Sequence, residues 1–97
     1  MASRITIYGN PAQPDVRRLR REMSVMYVEY DLADPRKDAR AARRLQTELG
    51  GEAVTLPLVE VQRADDQGSV FLTNPDEPTL RQCLYSEEIL SVTSYWL

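Results

Sequence analysis

The chain contains no histidine and a single cysteine, Cys83. The first absence removes imidazole acid–base chemistry, and with it every hydrolase built on a Ser–His or Cys–His pair. The second removes an internal disulfide and, together with the first, a zinc or iron–sulfur site within one chain. No cofactor and no metal are implied, and no residue is assigned a catalytic role. No apolar run approaches the roughly 18 residues of a membrane span, and the basic-then-apolar start of a leader peptide is missing. The expectation is a cytoplasmic chain that does not engage a membrane.

What is present fits one small domain of 97 residues, 42% apolar and 28% charged. The expected core covers residues 4–90, with a C-terminal tail, "SVTSYWL", at 91–97. Net charge is −3, but residues 1–50 carry +3 and residues 51–97 carry −6. Arginines gather at Arg17, Arg18, Arg20 and Arg21, and basic residues again at Arg36, Lys37, Arg40, Arg43 and Arg44. Such clusters suit either an anion or nucleic-acid site or a pair of solvated helix faces. The acidic total, and the lack of aromatics between the arginines, favour the solvated faces over nucleic acid.

Period changes along the chain mark the elements. "RITIY" (4–8) alternates as a strand, and Gly9, Asn10 and Pro11 break it. From Pro14, a good first helical residue, Val16, Leu19 and Met23 fall on one helix face. "VMYVEYDL" (25–32) reads as a second strand. Asp34 before Pro35 reads as the start of a second helix, with Ala39, Ala42, Leu45 and Leu49 as its buried stripe and Gly50–Gly51 as its stop. "LPLVEV" (56–61) and "VFLT" (70–73) form a hairpin across the polar "RADDQGS". "NPDEPTLRQCL" opens the last helix, with Asp76 as N-cap and Leu80, Cys83 and Leu84 inward. The order β-α-β-α-β-β-α, with a right-handed first crossover, gives an α/β fold: a four-stranded mixed sheet flanked by helices.

Three stretches in this order resemble the glutaredoxin family, and within it the short actinobacterial mycoredoxins. These are "ITIYGNPAQPDVRRLR" (5–20), "GGEAVTLP" (50–57) and "QGSVFLTNPD" (67–76). The resemblance implies a thioredoxin-like, glutaredoxin-type fold. It places Pro11, Gln13, Pro14, Asp15 and Val16 in the position of an active-site loop, with Gln13 and Val16 where the family carries its Cys-x-x-Cys pair. It implies that Pro57 is cis, and that Thr55, Leu56 and Pro57 with Asn74, Pro75 and Asp76 line a peptide- or thiol-binding groove. A thiolate at a helix N-terminus is stabilised by free amides and the helix dipole; glutamine and valine cannot attack a disulfide.

The expected function is therefore a non-catalytic binding module for a peptide, a low-molecular-weight thiol or a partner protein. Two alternatives stand beside it. One is a thiol–disulfide oxidoreductase acting through Cys83 or a noncanonical site. The other is a structural or assembly subunit in which Tyr95, Trp96 and Leu97 of the tail make homo-oligomeric or partner contacts.

Overall fold

In the computed structural model the described residues are 3–50, 54–64 and 67–90. Strand β1 (Arg4–Tyr8) leads to helix α1 (Pro14–Val25), then β2 (Asp31–Ala33), α2 (Ala39–Leu49), β3 (Leu58–Gln62), β4 (Ser69–Thr73) and α3 (Glu77–Ser86). The sheet order is β2-β1-β3-β4. β1 and β2 are parallel, whereas β1–β3 and β3–β4 are antiparallel. The α/β expectation, four mixed strands flanked by helices, is borne out. Among the described residues no helix is long and apolar enough to cross a membrane.

Alternation along the strands sorts the core into two layers. Ile5, Ile7, Val59 and Val61 pack under α1 and α3 against Val16, Leu19, Met23, Leu80 and Leu84. Tyr8 and Leu58 point the other way, against Ala41 and Leu45 of α2. β3 lies inside the sheet and under helices on both sides, so four of its five residues are buried in succession.

Three readings differ from expectation, besides β3 starting at Leu58 rather than Leu56. The second strand does not span 25–32; α1 runs on to Val25 and β2 holds only residues 31–33. The amides of Tyr27 and Val28 donate to the carbonyls of Ser24 and Met23, closing α1 with a Schellman pair of bonds. Tyr27 takes the left-handed φ of 56° that glycine usually supplies there. α3 ends the same way: Glu88, at φ 61°, donates to Tyr85 and Ile89 to Leu84.

The second correction concerns α2. Its N-cap is Asp38, whose carboxylate accepts from the amides of Arg40 and Ala41. Asp34 instead closes the turn before the helix, its side chain accepting from Arg36 N and its carbonyl from Lys37 and Asp38. The third follows from the second: Ala41 and Leu45 are buried, while Ala39 and Ala42 are exposed. The rotation of α2 that carries Arg44 to the sheet turns Ala42 outward. Gly50 caps α2 at φ 71°, as its position implied. Part of the "GGEAVTLP" match (51–53) and the tail 91–97 lie outside the described residues.

Candidate functional site

Chain reversal after β1 builds the first wall of the site. Gly9 N donates to Ala33 O, extending the β1–β2 register by one step. Asn10 then organises the turn, its side chain accepting from Ala12 N (2.9 Å) and its carbonyl from Gln13 N (3.0 Å). Gln13 is the N-cap of α1, with extended backbone and no side-chain capping bond. The amides of Asp15 and Val16 therefore stay unpaired among the described residues, at the positive end of the helix. Pro11, Gln13, Pro14 and Asp15 are exposed. Val16, by contrast, is 0% exposed and part of the core.

The second wall is the segment before β3. The Leu56–Pro57 peptide bond is cis. Thr55 is exposed, Leu56 half-buried and Pro57 buried. Neither Thr55 nor Leu56 makes a backbone hydrogen bond among the described residues. Gly9 lets the two walls approach: a Cβ there would lie 2.7 Å from Val16 Cγ2 and 3.5 Å from Pro57 Cβ.

Asn74 ties these walls to the third, the start of α3. Its amide donates to Pro57 O (2.8 Å), its Nδ2 donates to Asp15 Oδ2 (3.4 Å), and its Oδ1 accepts from Arg18 (2.9 Å). The same Arg18 nitrogen donates to Pro75 O (3.0 Å), and the other terminal nitrogen of that guanidinium grips Glu22. Arg18 is thus a clamp on the groove rather than part of a solvated face. Asp76 caps α3 by accepting from Thr79 N (2.9 Å), and that hydrogen bonding holds its carboxyl below the usual value. With Asp76 occupying the α3 end and Asp15 held beside Asn74, the groove is poorly suited to an anion.

Cys83 is remote from these contacts. It lies two turns into α3 from the Asp76 cap, about 10 Å along the axis. It is half-buried against the α1–α3 core layer. Burial, and then the charge of Glu87, push its thiol upward, opposite to the shift a nucleophilic cysteine needs.

A polar cluster that the sequence reading passed over lies on the opposite sheet face. Glu60, in the middle of β3, is 2% exposed. Its carboxylate accepts from the Tyr8 hydroxyl (2.6 Å), Arg44 (2.7 Å) and the Ser69 hydroxyl (2.6 Å). Burial alone would push the Glu60 carboxyl up, but the bonds from Arg44, Ser69 and Tyr8 together outweigh it and leave it below its ordinary value. Burial, followed by the bond to Glu60, raises the Tyr8 phenol. Arg44 is therefore removed from the solvated basic face as well. The available signal was a glutamate inside an otherwise apolar strand, where a charge has to find partners.

The fold has a counterpart among solved structures. The chain is similar to the crystal structure of the thioredoxin-like protein BC3987, with a TM-score of 0.60 and 23% identity, over 81% of this chain and 97% of that one. No family model matches the chain, and no curated protein does. The likeness, with the observed topology, establishes a thioredoxin-like fold.

Proposed function

We propose that the chain is a thioredoxin-fold binding module without thiol–disulfide turnover, whose groove takes an extended, neutral or basic peptide segment. The observation that carries this reading is the unpaired backbone of Thr55 and Leu56 beside Pro57, facing the uncapped start of α1. Free backbone donors and acceptors on an exposed segment invite pairing with another extended chain. The acidic groups at the groove, Asp15 and Asp76, select against an acidic segment. Gln13 and Val16, at the start of α1, supply no nucleophile, and the environment of Cys83 disfavours its thiolate. The glutaredoxin-type resemblance of the loop sequences supports the same groove, and a low-molecular-weight thiol without net negative charge remains within its chemistry.

Two measurements test the proposal. An insulin-reduction assay should give no turnover; turnover lost in Cys83→Ser would replace this reading with catalysis through that thiol. A two-dimensional NMR titration with basic and acidic extended peptides, and with reduced glutathione and mycothiol, should move Gln13–Val16, Leu56 and Asn74–Asp76 with the basic peptide. Silence at those residues with every ligand up to millimolar concentration would remove the groove as a binding site.

A further inference from the structure

We propose that the recess on the outer side of α1, lined by Arg17, Arg20, Arg21, Ser24 and Tyr30, binds a phosphate-bearing small molecule. This site is separate from the groove. Arg18 and Glu22 face α3, while Arg17, Arg20 and Ser24 lie on the side of α1 turned toward Tyr30.

The charge pattern is the first argument. Five of the eleven described arginines meet a carboxylate: Arg4 meets Asp31, Arg18 meets Glu22, Arg44 meets Glu48 and Glu60, Arg63 meets Glu87 and Arg81 meets Glu77; the others are spread along the approach to α2 and its outer face or gathered on α1. Arg17, Arg20 and Arg21 meet none among the described residues, and no acidic residue lines their recess. Three unneutralised guanidiniums side by side repel one another, in a protein whose net charge is −3. The helix dipole gives no reason for this placement. Arginines begin at Arg17, near the positive end of α1, and its last turn, where a cation would be favoured, has no basic residue.

The second argument is the set of donors. The recess is shallow and open to solvent, spans about 300 Å³, and presents guanidinium forks together with the Ser24 and Tyr30 hydroxyls. Arg20 Nε donates to Tyr30 Oη at 3.2 Å, which fixes the rim and leaves the phenolic hydrogen free to point at an anion. Planar forks plus hydroxyls match the tetrahedral oxygens of a phosphate. Arg40 provides the contrast: the cleft it lines also contains Asp31, Asp38 and Glu60, which would repel the same ligand. A nucleic-acid strand fits less well, because Tyr30 is the one aromatic ring lining the recess and the other half of the chain carries −6.

The test is an NMR titration of the labelled full chain with inorganic phosphate and with pyrophosphate, ionic strength held constant with sodium chloride. Saturable shifts are expected at Arg17, Arg20, Arg21, Ser24 and Tyr30, with Gln13, Leu56 and Asn74 unmoved. Arg17→Gln and Arg21→Gln should each weaken binding by about tenfold, whereas Arg43→Gln on α2 should leave it unchanged. Non-saturating shifts, or equal weakening by Arg43→Gln, would reduce the recess to a general field effect and overturn the proposal. Parallel arms use phosphatidylcholine vesicles doped with phosphatidic acid, and a single-stranded oligonucleotide. Binding confined to either arm, with inorganic phosphate silent, would also overturn it.

Discussion

Replacing Tyr8 by Phe and Glu60 by Met, singly and together, should show strong coupling. Tyr8→Phe leaves a buried carboxylate one donor short, at a cost of about 1.5–3 kcal/mol. Glu60→Met keeps the length of the side chain but strands the donors. Ser69 and Arg44 are partly exposed and can turn to water, so the orphan is the Tyr8 hydroxyl, on a residue 4% exposed; the cost is about 1–3 kcal/mol. Removing both partners leaves an apolar contact and no orphan, so the double variant should lose much less than the roughly 4 kcal/mol sum of the singles. A coupling energy of about 2–3 kcal/mol follows. Urea denaturation of the four proteins at pH 7 measures it, and thermal melts should drop by roughly 10 °C in each single variant.

Acid adds an independent arm. The Glu60 carboxyl is depressed in the folded state, so its stabilisation is full above its unfolded pKa of about 4.3 and fades as pH falls through the folded value. The stability gap between wild type and Glu60→Met should therefore narrow on acidification. Additivity within about 0.5 kcal/mol, or a gap that widens in acid, would refute the account of a satisfied buried carboxylate.

Three further outcomes follow from the geometry. Tyr27→Gly relieves a left-handed residue that is 95% exposed, and should stabilise the fold by about 0.5–1 kcal/mol in urea denaturation. Gly9→Ala should destabilise by about 1–3 kcal/mol, because its Cβ would meet the buried Val16 side chain; adding Val16→Ala should recover part of the loss. Gln13→Cys should create a thiol with a pKa below the ordinary value of about 8.5, since the uncapped amides of α1 face it. The pH dependence of iodoacetamide alkylation in a Cys83→Ser background measures that pKa, and an ordinary value would mean the helix end no longer activates a thiol.

Sequence periodicity was a good guide wherever one buried face was continuous. Val16, Leu19 and Met23 were named from spacing alone and form the buried stripe of α1, as Leu80 and Leu84 do in α3. It failed where the helix ends lacked their usual residues. Tyr27 occupies a left-handed position without being glycine, so periodicity alone ends α1 early and begins β2 too soon. Asp34–Pro35 is a good start signal, yet a complete turn intervenes before Asp38 takes the cap. The Glu60 cluster was illegible for another reason. Its partners stand 52, 16 and 9 residues away in the chain, and no periodic pattern records such distances. The same holds for Arg18, whose link to Asn74 exists only once α1 and α3 lie side by side.

The strand order also sets a timetable for synthesis. β1 leaves the ribosome before the other described strands, yet it lies inside the sheet, and its partner on one edge is β3, paired from Tyr8–Leu58 to Arg4–Gln62. That edge, carrying Ile5 and Ile7, has no partner until some fifty further residues have been made, which at typical elongation rates is about 3–10 seconds. Over that interval the nascent chain presents an apolar, unpaired strand edge open to intermolecular pairing. Slow translation just before residue 58 should therefore lower soluble yield with no change in the stability of the product.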